Sequence, residues 1–293
     1  MSDPRPRRSV LYMPAANERA LEKAKTLPAD AIIFDLEDAV APDAKVAARP
    51  NAVAAASSGQ YGNRELTIRC NGLDTPWGAD DIAAAASSGA SAVVIPKVGS
   101  VAYLDHVSAL LDQGGAPATC SIWAMIETPT AIFDVRAIAA HHRVSVLVMG
   151  TNDLARELRS SLVASGRHPL LPHLATALAA AREADVSILD GVYNDVKDLD
   201  GFRAECVQGF EMGFDGKTLI HPGQVEIAND VWAPTDDEVE HARKVIAAFD
   251  EGLAEGRGVI TVDGRMIENL HVANAQRTLA VADAITALAA SDS

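Results

Sequence analysis

The chain is poor in positive charge, poor in cysteine and free of long hydrophobic runs, and each shortage closes off a class of function. Lys and Arg number 25 against 40 Asp and Glu in 293 residues, a formal net charge of −15. Polyanion binding rests on neutralising phosphates with basic side chains, so a general nucleic-acid binder is excluded and any anionic ligand must be held by a few local cations. Three cysteines (Cys70, Cys120, Cys206) are an odd number without metal-type spacing, which argues against a disulfide framework and for a reducing compartment. No segment approaches the roughly 18 unbroken apolar residues of a membrane span. The basic opening MSDPRPRRSVLYMP has too short an apolar stretch for a signal peptide. The expectation is a soluble cytoplasmic protein with neither nucleic acid nor membrane as partner.

What the chain does have is an alternation of two textures. Short aliphatic or β-branched runs stand at Ser9–Met13, Ala31–Leu36, Glu65–Cys70, Ala92–Ile95, Ser121–Ile126, Val144–Met149, Val186–Asp190 and Lys217–Ile220. Most are near-continuously apolar, as expected of parallel strands buried on both faces. Ala-rich stretches of helical spacing lie between them, at Asn17–Leu27, Asp43–Ser57, Trp77–Ser87, Val101–Leu111, Thr130–Ala139, Leu171–Glu183 and Gly201–Met212, and Gly223–Val231 follows the last run. Eight such pairs predict a closed (β/α)8 barrel. The rival, a doubly wound open sheet, calls for a glycine fingerprint after an early strand, and MPAANER has none. Residues 1–232 therefore read as the catalytic barrel. Residues 233–293 read as a helical segment serving as a lid or a contact with a neighbouring subunit: a helix from Pro234 to about Glu255, a hairpin or loop at Gly256–Asp263, and a last helix over Asn269–Ala290.

In such a barrel chemistry sits where strands exit at their C-terminal ends. The polar residues there are Asp35, Glu37 and Asp38 after the second strand, Arg69, Cys70 and Asn71 after the third, Lys97 after the fourth, Glu127 after the fifth, Asn152 and Asp153 after the sixth, Asp190 and Asn194 after the seventh, and His221 after the eighth. All are expected to converge on one mouth. Carboxylates without His or Cys clusters suit a hard cation, and Mg²⁺ commonly takes one or two carboxylates with water and substrate oxygens in its other positions. Glu127 and Asp153, from adjacent strands, form the best pair. A structural reading stands beside this: Asp153 caps the helix starting near Leu154, and Glu127 pairs with Arg69 or Lys97 as a buried ion pair. Arg69 offers a fork for a carboxylate or a developing enolate oxygen, or else a salt bridge to Glu37 or Asp38. His221 before Pro222 reads as a turn residue, Cys70 as a small buried residue, and Lys97 as a salt-bridged amine rather than a Schiff-base former.

Taken in order, RSVLYMP, IIFDLEDAV, IRCNGLDTPWG, VVIPKV, WAMIET, VMGTNDLA, DGVYND and MGFDGKTLIHPGQVEIAN resemble the citrate lyase β-subunit-like (CitE-like) family of the HpcH/HpaI aldolase superfamily, over roughly Arg8 to Ala282. GTNDLA, DGVYN, GKTLIHP and VDGRMIENLH are most similar to its malyl-CoA branch. The resemblance implies TIM-barrel subunits in homotrimers or homohexamers, Mg²⁺ as cofactor with Mn²⁺ as a substitute, and a CoA thioester as substrate. By the same resemblance Glu127 and Asp153 match the metal ligands, and Arg69 the residue contacting the acyl group and its enolate. Glu37 and Asp38 match the acidic pair supporting this Arg and the metal waters. Tyr12, Arg19 and Lys23 fall in the CoA-binding segment, and Asn152, Ile220 and His221 fall against the bound acyl-CoA. The basic residues Arg5, Arg7 and Arg8 either help hold CoA phosphates or are simply solvated.

In the family a C-terminal segment of one subunit covers the neighbour's site, and lyases often carry there an acid/base Asp in a GxxxD segment. Here Gly264-Arg265-Met266-Ile267-Glu268 puts Glu268, one methylene longer, in that place. This departure leans the implied activity toward Mg²⁺-dependent hydrolysis of a 3-hydroxyacyl-CoA such as (3S)-malyl-CoA to malate and CoA. The alternatives are C–C cleavage to acetyl-CoA and glyoxylate or their homologues, a citrate lyase β-type subunit, and, from another class, a non-catalytic CoA-ester binder.

Overall fold

The computed structural model describes residues 5–161, 166–254 and 260–290. The described chain forms two compact units, one from Arg7 to Val231 and one from Trp232 onward together with Arg5 and Pro6.

The first unit is a closed barrel of eight parallel strands in sequence order. They are β1 Ser9–Pro14, β2 Ala31–Asp35, β3 Glu65–Arg69, β4 Ala92–Ile95, β5 Ser121–Ile126, β6 Val144–Met149, β7 Ser187–Asp190 and β8 Gly216–Leu219. Every expected strand lies within one residue of these bounds. β1 pairs with both β2 and β8, which closes the sheet and disposes of the open-sheet alternative. The helices are α1 Glu18–Ala24, α2 Lys45–Ser57, α3 Gly78–Ala86, α4 Val101–Gln113, α5 Pro129–Ala139, α6 Thr151–Glu157, α7 Leu171–Glu183, α8 Leu199–Met212 and α9 Val225–Val231, the last preceded by a 3-10 turn at Pro222–Gln224. Among the described residues two α-helices, α6 and α7, and a 3-10 turn at His168–Leu170 lie between β6 and β7. The short α6 carries one side of the barrel mouth.

Strand residues alternate between two buried faces. Val10, Ala31, Ile33, Ala92, Val94, Trp123, Met125, Val146, Val148 and Leu189 pack together inside the barrel. Leu11, Ile32, Phe34, Ile68, Val93, Ile122, Leu147 and Ile188 alternate with them, all with no exposed surface, and pack against the helices. That double burial is why the strands read as unbroken apolar runs. The N-terminal end of the barrel is plugged by charge. Arg7 forks onto Glu65 (2.6 and 3.0 Å), reaches Ser187 Oγ (3.1 Å), and lies 5.4 Å from the centroid of the Trp123 ring. Arg8 pairs with buried Asp30 through Nε (2.8 Å) and Nη2 (2.7 Å). Neither reading of these two arginines from sequence holds: they are ion-paired within the fold, at the end opposite the strand C-termini.

The second unit contains α10 (Asp236–Ala254), an antiparallel pair β9 (Ile260–Val262) and β10 (Arg265–Ile267), and α11 (Asn269–Ala290). The first part of the expected hairpin, up to residue 259, lies outside the described residues. The turn falls later, at Asp263 (φ 49°) and Gly264 (φ 77°), two consecutive left-handed residues that match the twist of a tight hairpin. Ala242, Val245, Ile260, Val262, Ile267, Val272 and Ala275 form its core.

Candidate active site

Arg69, the last residue of β3, is the centre of a charge cluster at the barrel mouth. Its Nε and Nη2 donate to the two oxygens of Asp35 (2.7 and 2.6 Å), and its Nη1 meets Glu37 Oε2 at 2.7 Å and Asp38 Oδ2 at 3.4 Å. The Tyr12 ring lies against the guanidinium, 4.6 Å from centroid to Cζ. Both salt bridges expected from sequence are present, and a third carboxylate, Asp35, makes the strongest contact. Burial acts to lower the Arg69 pKa, but Asp35 and its neighbours outweigh it and hold the group well above its ordinary value, a fixed cation. Burial pushes Glu37 up to about 7 against the pull of Arg69, with Asp38 and Asp35 adding to the rise. It also raises the Tyr12 hydroxyl.

Glu127, just past β5, is 2 % exposed. Its Oε1 accepts the backbone N–H of Lys97 (2.7 Å), an amide aimed by a left-handed residue (φ 51°) at the end of β4. Burial, then the charge of Glu37, push Glu127 up to about 8; the Lys97 amide opposes this and Asp153 adds to it. Neither buried ion pair considered for Glu127 forms. The Lys97 ammonium instead faces Glu37 at 3.8 Å and is about half exposed, so it is neither desolvated nor poised as a Schiff-base amine. Asp153 does not cap its helix. α6 starts at Thr151 with Gly150 as N-cap, and Asp153 sits in the first turn, where the helix dipole favours an anion. Its ion-pair partner is Arg156, one turn on and 64 % exposed.

Glu127 and Asp153 line one cavity of about 280 Å³ with Tyr12, Asp35, Asp38, Arg69, Asn152, Asn194, Thr218 and Ile220. A buried carboxylate raised by its own burial and by like charges is short of positive charge, and a cation beside it would correct that. Two hard oxygen donors with open space suit Mg²⁺, which takes most of its shell from water and substrate. Among the described residues no three His, Cys, Asp or Glu side chains enclose an ion, so the fit is to such a partly hydrated ion.

The remaining site candidates separate. Asn152 is at the rim, in a reciprocal amide pair with Asn194 (3.0 and 2.8 Å). Ile220 lines the cavity and is 41 % exposed. His221 caps the turn after β8, its Nδ1 accepting the Gly223 N–H (3.0 Å), as the turn reading expects. It is not among the cavity-lining residues, nor are Glu37, Arg19 and Lys23. Arg19 and Lys23 lie exposed, one turn apart, on α1. Glu268 belongs to the second unit, where it is exposed just before α11, its N–H donating to His271 Nδ1 (3.0 Å).

Asp190 corrects the expected convergence. It faces the helix layer, bound to Arg167 (2.6 and 2.7 Å) and Lys217 (2.8 Å), and Lys217 also reaches Glu205 (2.8 Å). Asn71 likewise turns to Leu36 O and Asp81 (2.9 and 2.6 Å). Cys70 is buried, and burial pushes its thiol up, away from nucleophilic use. Sequence reasoning noted Asp35 but gave it no role. Its two-residue offset from Ile33 puts both on one face of β2, but only the closed barrel shows that this face is the inner one.

The family model described as HpcH/HpaI aldolase/citrate lyase matches residues 8–222. A (3S)-malyl-CoA thioesterase of Cereibacter sphaeroides is 51 % identical over 286 residues, 98 % of each chain. The citrate lyase subunit beta of Escherichia coli is 35 % identical over 285 residues, 95 % of this chain and 94 % of that one. Among solved structures, CitE from Mycobacterium tuberculosis in complex with magnesium, acetoacetate and coenzyme A superposes with a TM-score of 0.75 at 26 % identity, covering 94 % of this chain and 97 % of that one. On the barrel, the mouth it builds and these likenesses, the chain belongs to the HpcH/HpaI aldolase/citrate lyase family.

Proposed function

We propose that the protein is a Mg²⁺-dependent enzyme that hydrolyses the thioester of a 3-hydroxyacyl-CoA such as (3S)-malyl-CoA, releasing malate and CoA. The observation that carries the reading is one cavity holding a locked guanidinium beside a buried carboxylate, Glu127, and its neighbour Asp153. The 51 % identity to a malyl-CoA thioesterase supports it. In this reading Glu127 and Asp153 hold Mg²⁺, with Mn²⁺ as a substitute. The bound ion supplies charge neutralisation and Lewis acidity to an anionic substrate inside an acidic protein.

The protein's own groups do the rest. Arg69 faces the thioester carbonyl and stabilises the oxyanion that forms when water attacks. Glu37 and Asp38 hold Arg69 and orient the water. Asn152 and Ile220 shape the acyl end of the pocket. Tyr12 stacks on Arg69 beside it, and Arg19, Lys23 and His221 contact the CoA portion outside the cavity. The subunits assemble as a homotrimer or homohexamer in the cytoplasm. There the second unit of one subunit covers a neighbour's mouth and brings Glu268 to it as the acid/base group.

A second reading uses the same cavity for C–C cleavage, with Arg69 stabilising an enolate and Glu268 taking the hydroxyl proton. The likeness to a citrate lyase subunit favours it. Incubation with malyl-CoA and MgCl₂ followed by product identification decides. Malate and free CoA are expected; acetyl-CoA and glyoxylate would replace hydrolysis by cleavage, and tight binding without turnover would leave only a CoA-ester binder.

A further inference from the structure

Asp35 ends β2 with no exposed surface, yet it borders the cavity. Its oxygens accept four hydrogen bonds: Oδ1 from Arg69 Nε (2.7 Å) and Glu37 N (2.9 Å), Oδ2 from Arg69 Nη2 (2.6 Å) and Ala39 N (3.1 Å). A carboxylate offers about four lone-pair sites. All are taken, so Asp35 has none to give to a metal ion, a substrate or a transferable proton. Any effect it has on chemistry passes through its partners.

Those partners are functionally joined. Two of the bonds come from the Arg69 side chain, and two from the backbone of the loop that carries Glu37 and Asp38. The fork is set by strand pairing, because the β2–β3 register places Asp35 directly opposite Arg69. With one edge of the guanidinium held by Asp35 and one face covered by Tyr12, the group has a single setting.

We propose that Asp35 is a positioning residue for the reaction. It fixes the direction in which Arg69 meets the developing oxyanion, and it locks the loop bearing Glu37 and Asp38 to that same setting. This rests on the reading of Arg69 as an oxyanion stabiliser. Donors fixed in advance need no reorganisation as charge develops, and a displacement of about 1 Å lowers the rate on the order of 100-fold.

The test is Asp35→Asn, which keeps size but turns at least one N–H donor toward another. With malyl-CoA and MgCl₂, kcat is expected to fall about 10- to 100-fold while KM stays within about threefold. Mg²⁺ affinity by calorimetry should stay close to that of the wild type, while Tm falls, because buried Arg69 loses one of its charged partners. The double variant D35N/R69K should lose much less than the product of the two single losses, because part of the effect of Asp35 passes through Arg69 and is already gone in R69K. Losses that multiply, or an unchanged kcat, overturn the proposal; a purely structural Asp35 would lower Tm and leave the kcat of the folded protein unchanged. Asp35→Glu keeps the charge and is the second variant if D35N does not fold; it is expected to fold with kcat reduced and KM near wild type, and wild-type kcat would count against the proposal. If the wild type does not turn over malyl-CoA, the functional reading fails separately, and the crystal structure of D35N judges positioning. A displaced guanidinium in an intact barrel upholds it, and an unmoved one overturns it.

Discussion

Gly150 carries no side chain in a place already filled by the Glu127 carboxylate: a Cβ there would overlap Glu127 Oε2 and Cβ. The residue thus acts as a spacer between the ends of β5 and β6. Gly150→Ala is expected to displace Glu127, to destabilise the fold by about 1–3 kcal/mol as an overpacked site, and to weaken Mg²⁺ binding about tenfold or more, since one of the two proposed ligands moves. Calorimetric titration with MgCl₂ checks the last point, and wild-type affinity would mean that Glu127 is no ligand. A related expectation needs no substrate. A ligand that binds only the folded state raises Tm, so MgCl₂ should raise the Tm of the wild type and leave that of Glu127→Gln unmoved. An equal shift in both proteins would place the ion elsewhere.

At the scale of elements, β7, β8 and α8 are joined by buried charge. Asp190 and Lys217 have no exposed surface and pair at 2.8 Å, with Arg167 and Glu205 completing the set. Burial acts to raise Asp190, but Lys217 and Arg167 outweigh it and hold the carboxyl below its ordinary value. In the unfolded chain Asp190 binds its proton more readily than in the fold. Its contribution is therefore complete above about pH 4 and is lost as pH falls through the folded value. Asp190→Asn is expected to cost about 3–5 kcal/mol at pH 7, because two buried cations lose their partner. The difference in Tm from wild type should narrow below about pH 4. A gap that stays constant from pH 7 to pH 3 would show that the pair contributes no proton linkage.

The whole molecule poses a different question, because Glu268 belongs to a unit separate from the barrel that carries Arg69 and Glu127. If the proposed assembly is right, a functional mouth combines the barrel of one subunit with Glu268 of another. Glu268→Ala and Glu127→Gln should each be inactive alone. Mixed by co-expression, they should regain activity, up to about a quarter of wild type if subunits assort at random in a cyclic oligomer. No regain, with mixed assembly confirmed by mass spectrometry, would mean that Glu268 does not act across subunits. The acidic composition belongs to this scale as well. A chain of net charge −15 that takes an anionic ester relies on a fixed cation at the point of contact, the role proposed here for Arg69.

By itself the sequence determined the barrel, its eight strands to within a residue, and the strand ends from which the site is drawn, because short unbroken apolar runs and Ala-rich helical stretches are local properties. It could not say which way each strand-end residue points. Both faces of every strand are buried, so hydrophobicity does not separate the inside of the barrel from the helix layer. Only closure and register decided that Asp35 turns inward to Arg69 while Asp190 turns outward to Lys217. The same holds for Arg7, whose place as a plug at the far end depends on Glu65 and Ser187 being brought to it from 58 and 180 residues away.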